Sequence, residues 1–214
     1  MKVRVKGDSV TIEGYVNVVE RESEVLYDGE SSFIEKIKQG AFAKSLRRRE
    51  NVKVLFNHAV DRILATVAEG TASLREDAIG LWCSAKIRDA EVVKSAKEGR
   101  LVGWSFGFNA LNEREIWTDE TVRHREVLDL DLVEVSILDD TKLPAYPANC
   151  IMTRSLEDGK EEQIEYRSLD SDIELITEAS SGGAADISSE KDGADISADS
   201  NYSFRNALLR ASIH

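Results

Sequence analysis

Cysteine and histidine are scarce in this chain of 214 residues, and its 28 Lys and Arg are outnumbered by 40 Asp and Glu. The two cysteines, Cys83 and Cys150, are too few for a disulfide framework and fit a reducing compartment. Cys83 alternates with Leu81, Ala85 and Ile87 and reads as a small buried hydrophobe. The three histidines, His58, His124 and His214, show no close ligand spacing with each other or with the cysteines, so no metal or cofactor is expected. No apolar run approaches the roughly 20 residues that span a membrane. Residues 1–6 alternate like a strand and lack the apolar core of a signal peptide. The net charge is −12, and Arg47-Arg48-Arg49 is the one basic run, read as a solvated helix end. Binding to nucleic acid through phosphates is therefore not expected. The reading is a soluble, intracellular protein.

What is present is mostly strand pattern. Residues 1–150 carry a net charge of −4 and residues 151–214 one of −8. Val3 and Val5, a turn at Gly7-Asp8, then Val10, Ile12 and Gly14-Tyr15-Val16 predict a hairpin. Residues 31–49 place Phe33, Ile34, Ile37, Ala41, Phe42 and Leu46 at helical spacing, which predicts two short helices broken at Gly40. Residues 52–56 predict a strand ending at Asn57-His58. A meander follows over 63–87, then a helix over 89–97 capped by Asp89 and stopped by Gly99. Further strands around Ser105 and over 127–138 complete about eight. The expected fold is mainly β with peripheral helices (α+β), a closed or nearly closed β-barrel.

After Pro147 the composition turns to Ser, Asp, Glu, Ala and Gly. The expected organisation is a domain over 1–154 and an acidic, mostly flexible tail over 155–214. Short helices are expected at 172–178 and 203–211, the second with Phe204, Ala207, Leu208 and Ala211 on one stripe. Such a segment suits an interaction that orders on a partner.

Gly103-Trp104-Ser105-Phe106-Gly107-Phe108 is the most informative segment. In a strand, Trp104, Phe106 and Phe108 share an aromatic face, while Gly103, Ser105 and Gly107 share a nearly bare one. Ser105 is then either a filler in a core strand or a hydroxyl within reach of a peptide laid along it. The segment matches the Gly-x-Ser-x-Gly elbow of α/β-hydrolases, but that elbow needs a strand-to-helix turn, and these glycines lie inside a strand pattern. His58 ends an apolar strand, a place where a rigid scaffold meets an open loop. His124 lies between Arg123 and Arg125 and reads as a surface strand position.

Glu134 interrupts the leucine face Leu130, Leu132, Glu134, Ser136, Leu138. A buried carboxylate there needs a partner such as a histidine. Alternatively, a bulge near Leu132 and Val133 turns it to solvent. A hydroxyl, an imidazole and a carboxylate are the components of a serine hydrolase triad.

These residues carry a resemblance. Gly14-Tyr15-Val16, Gly40-Ala41-Phe42, Asn57-His58, the segment 103–108, Leu132-Val133-Glu134-Val135-Ser136 and Pro144-Ala145-Tyr146-Pro147-Ala148 together resemble the prohead (capsid maturation) proteases of tailed bacteriophages, related in fold to herpesvirus maturation proteases. The resemblance implies a serine endopeptidase barrel with His58 as general base, Ser105 as nucleophile and Glu134 as the orienting member, with Asp131 and Ser136 as rivals for the third role. It also implies an enzyme inside the procapsid, in the bacterial host cytoplasm, that cuts the scaffolding region from the major capsid protein and digests itself. Gln39, Ala59 and Ala65 depart from the family pattern, which bears on loops more than on the triad. The tail lies outside the resemblance and would dock on portal or scaffold, or serve as a substrate for self-cleavage. Backbone amides near 138–142 are the candidate oxyanion donors. The alternative is an inactive barrel acting as a capsid scaffold or assembly chaperone.

Overall fold

A computed structural model describes residues 1–27, 31–117, 123–140, 149–155, 161–170 and 173–177. These residues form thirteen strands and two helices. In chain order they are β1 (Lys2–Lys6), β2 (Ser9–Val18), β3 (Leu26–Tyr27), β4 (Ser32–Ile37), α1 (Ala41–Arg48), β5 (Lys53–Phe56), β6 (Ala59–Thr66), β7 (Ala72–Glu76), β8 (Gly80–Ile87), α2 (Ala90–Lys97), β9 (Leu101–Trp117), β10 (Arg123–Asp139), β11 (Asn149–Ser155), β12 (Glu161–Asp170) and β13 (Glu174–Thr177).

One sheet runs in the order β13-β1-β2-β8-β7, and the other β11-β12-β9-β10-β4-β3, with β5 on β10 and β6 on β5. The mainly β character with helices is as the sequence implies. Among the described residues neither sheet closes on itself, so the strand pairing does not by itself show the closed or nearly closed barrel of the sequence reading. The two sheets share one apolar core. Val3, Ile12, Leu81 and Ile87 come from the first sheet, and Phe106, Phe108, Leu132 and Ile137 from the second.

The hairpin of β1 and β2 forms as expected, turning at Gly7 with φ +61°. Asp89 caps α2, its Oδ1 accepting from the amides of Glu91 and Val92 at 3.0 Å each. The expected helix before Gly40 is instead β4. Its buried residues are Phe33, Glu35 and Ile37, a period of two. Phe33 and Ile37 fit either period, and the burial of Glu35, which depends on distant arginines, decides it. Gly40 therefore starts α1 rather than breaking a longer helix. It sits at φ +90° and has no capping side chain of its own. Glu76 of β7 supplies the cap, accepting from the amides of Gly40 and Ala43 at 2.6 Å each, where the helix N-terminus favours an anion.

Two strands fall inside the segment that composition assigns to the tail. β12 pairs antiparallel with β9, and β13 pairs parallel with β1. Glu174–Thr177 is thus strand rather than the expected short helix. Met1–Ser180 is one compact unit. The motif at 144–148, the expected helix at 203–211 and His214 lie outside the described residues.

Candidate active site

β9 lies between β10 and β12, and its alternation is the one the sequence predicts. Trp104, Phe106 and Phe108 are fully buried in the core, with Phe42 of α1 edge-on to Phe106 at 5.4 Å. The opposite face carries the candidate site. Across the three strands Ser136, Ser105 and Ser168 form one row, and Glu134, Gly107 and Tyr166 form the next.

Glu134 reaches that face through a bulge. The β9–β10 register shifts between Leu132 and Glu134, so that Leu132 opposes Phe108 while Glu134 opposes Gly107. The extra residue, Val133, flips the parity of the strand. Leu130 and Leu132 before it, and Val135 and Ile137 after it, all face the core. Both sequence readings are thereby partly met. The bulge exists, yet Glu134 turns not to solvent but onto the serine face, where it is 4 % exposed.

His58 arrives from the other side. Phe56 pairs with Ala59, which leaves Asn57 and His58 as a two-residue turn between β5 and β6. Both have positive φ, +51° and +59°. A tight hairpin turn of this kind needs left-handed backbone at both positions, which Asn and His adopt more readily than most residues. The Asn57 amide anchors the turn. Its Nδ2 donates to Asp139 Oδ1 at 3.0 Å, and its Oδ1 accepts from the Asp139 amide at 3.1 Å. The His58 amide donates to Ser136 Oγ at 3.1 Å.

The result is a short, buried acid–imidazole pair. His58 Nδ1 lies 2.7 Å from Glu134 Oε1. The His58 ring packs edge-on against Tyr166, with centroids 4.5 Å apart. Gly107 makes the room. A Cβ there would lie 2.9 Å from Tyr166 Cε1 and 3.1 Å from Glu134 Oε1.

Ser105 occupies the adjoining row on the same face but does not hydrogen-bond to His58. Its hydroxyl donates to the Arg167 carbonyl of β12 at 2.8 Å, and the residue is 1 % exposed. The bare strand face is flanked at Gly107 by Tyr166 and Ile164 of β12. Asp131, one rival for the third role, accepts from Arg48 and Arg49 at the end of α1 and has no contact with His58. Ser136, the other rival, bridges the His58 amide and Glu134. Of the candidate oxyanion amides, Asp139 donates to Asn57 and Asp140 to the Arg100 carbonyl. The remaining histidine and cysteine candidates have separate surroundings. His124 lies 3.7 Å from Glu22, and burial pushes the Cys83 thiol up, so that it stays protonated. The sequence reading missed Tyr166 and Arg167, which lie in the segment assigned to the tail. The alternation Ile164, Tyr166, Ser168 was the available signal.

The family model of the caudovirus prohead serine proteases matches residues 1–162. The chain belongs to this family. No curated protein and no solved structure matches it. The match contains His58, Ser105 and Glu134 and ends as β12 begins, so Tyr166 and Arg167 lie beyond it. No helix among the described residues is long and apolar enough to cross a membrane.

Proposed function

We propose that this chain is a serine endopeptidase that processes the phage major capsid protein and its scaffolding region, and itself, inside the procapsid in the host cytoplasm. The observation that carries the reading is the 2.7 Å His58–Glu134 pair on the sheet face that bears Ser105, in a member of a prohead serine protease family. Glu134 accepts a hydrogen bond from Nδ1–H, which keeps the lone pair on Nε2, the tautomer that a general base requires. Nε2 takes the Ser105 proton as Oγ attacks the scissile carbonyl, and returns it to the leaving amine. Water, deprotonated in turn by Nε2, then hydrolyses the acyl ester, and Nε2 returns the proton to Ser105 Oγ.

The described conformation is a resting one. Ser105 must leave the Arg167 carbonyl and turn to His58, and a substrate strand must gain access where β12 now lies. The acidic segment after Ser180 docks on portal or scaffold during assembly, or is removed by self-cleavage.

The test is co-expression with the major capsid protein and mass-spectrometric mapping of the fragments. Ser105→Ala and His58→Ala are expected to abolish cleavage, and Glu134→Ala to lower it by about 100-fold or more. Processing that survives Ser105→Ala would remove Ser105 from the nucleophile role. One observation favours a second reading, the inactive scaffold or assembly chaperone: the near-complete burial of Ser105. An intact capsid protein beside wild-type chain in assembled proheads would select that reading.

A further inference from the structure

The hydroxyl of Ser136 does two things at once. It accepts from the His58 amide at 3.1 Å and donates to Glu134 Oε2 at 2.7 Å. The other carboxylate oxygen, Oε1, meets His58 Nδ1 at 2.7 Å. His58 backbone, Ser136 hydroxyl, Glu134 carboxylate and His58 ring thus form a closed circuit of hydrogen bonds. Ser136 itself is fully buried.

The circuit has a fixed polarity. The His58 amide can only donate, so the Ser136 oxygen accepts there and its single proton is free for Glu134. The Ser136 proton holds Oε2, which leaves Oε1 turned to His58 Nδ1. The circuit also holds the backbone of His58 at φ +59°, in a turn that a non-glycine residue enters at a cost in energy.

We propose that Ser136 is a positioning residue. It fixes the Glu134 carboxylate and the His58 turn relative to one another, and does so without touching substrate. The inference rests on the reading of His58 and Glu134 as base and orienting acid. No other side chain among the described residues bridges the two. Asn57 and Asp139 hold the same turn from its far side, and the Tyr166 ring packs edge-on against the His58 ring.

The experiment compares wild type, Ser136→Ala and Ser136→Thr as full chains. One readout is the proton NMR resonance of His58 Nδ1–H, which a short bond to a carboxylate moves to low field and protects from exchange. The other is the rate of capsid-protein cleavage on co-expression. Ser136→Ala is expected to lose the resonance and to cleave about 10- to 100-fold more slowly. Ser136→Thr, which keeps the hydroxyl, is expected to retain the resonance and to cleave within about threefold of wild type. Should Ser136→Ala fail to fold, Ser136→Cys fills the same space with a weakly bonding thiol and carries the same expectation.

A wild type without the protected resonance would overturn the inference, as would a Ser136→Ala variant that keeps it, whatever its cleavage rate. A failure of the nucleophile reading is distinguishable. Ser105→Ala would then cleave like wild type, while the resonance comparison would still decide whether Ser136 holds the pair.

Discussion

Gly107 leaves a space that its neighbours fill, and the catalytic reading depends on that space. Glu134 Oε1, the oxygen bound to His58, would stand 3.1 Å from a Cβ at this position, and the Tyr166 ring 2.9 Å from it. Gly107→Ala is therefore expected to push the carboxylate off the imidazole. Cleavage should fall by about 100-fold, with stability lowered by about 1–3 kcal/mol through overpacking. Fragment mapping and thermal unfolding of the same variant check the two parts. Wild-type cleavage would show that the acid–imidazole pair tolerates displacement. Much at this scale was legible in the sequence. Asn57-His58 at a strand end is a turn signal, and the spacing Leu130, Leu132, Val135, Ile137 already contains the parity flip of the bulge. The bond between Ser105 and Arg167 was not legible, because it joins residues 62 apart through a strand that composition disguises.

β12 owes its place to charge as much as to apolar burial. Its face toward the aromatic side carries Glu165 and Arg167, which meet Glu35 of β4 and Arg125 of β10. Arg125 donates to Glu35 at 2.9 Å and to Glu165 at 2.7 Å, and Arg167 donates to Glu35 and Glu165 at 2.9 and 2.8 Å. Glu113 of β9 also accepts from Arg125. Burial pushes the Glu165 carboxyl up, but its bonds and charge contact with Arg125, and then Arg167, outweigh this and leave it below the ordinary carboxylate range. The folded chain therefore holds Glu165 ionised where the unfolded chain would protonate it, at about pH 4.3. The resulting stability is fully present above that pH and is lost as the pH falls toward the lower folded value. Wild type should lose stability below about pH 4.3, and Glu165→Gln should flatten that fall. At neutral pH the same substitution should cost about 3 kcal/mol, since it leaves Arg125 and Arg167 short of a counter-charge in a buried site. Denaturant unfolding at pH 7 and at pH 3.5 checks both, and equal acid sensitivity in the two proteins would discount the cluster. The same cluster explains why the spacing in β4 predicts a helix. A buried glutamate at position 35 looks like a polar residue on a helix until Arg125 and Arg167 are seen around it.

On the scale of the whole molecule, the limit of the fold is set by pairing rather than by composition. A chain rich in Ser, Asp and Glu has little apolar surface to bury, which makes the region after 154 read as flexible. Yet Ile164 is almost fully buried, Glu165 and Arg167 are satisfied by partners from two other strands, and β13 extends the first sheet beside β1. Every described strand precedes Ser181. Two truncations separate the alternatives. A chain ending at Ser180 keeps all the described pairing and should melt within about 2 °C of wild type, a shift of a few tenths of a kcal/mol. A chain ending at residue 160 bares the β9 edge, takes Glu165 from Arg125 and Arg167 from Glu35, and removes the carbonyl that Ser105 bonds. Loss of a buried charge partner alone costs about 3–5 kcal/mol, a large share of the roughly 5–15 kcal/mol that holds a domain of this size together. The shorter chain should therefore be unfolded or aggregated when purified alone. If it folds and cleaves capsid protein faster than the full chain, then β12 is a cover over Ser105 and not a part of the framework; if it folds and does not cleave, the burial of Ser105 under β12 is not what keeps the nucleophile at rest.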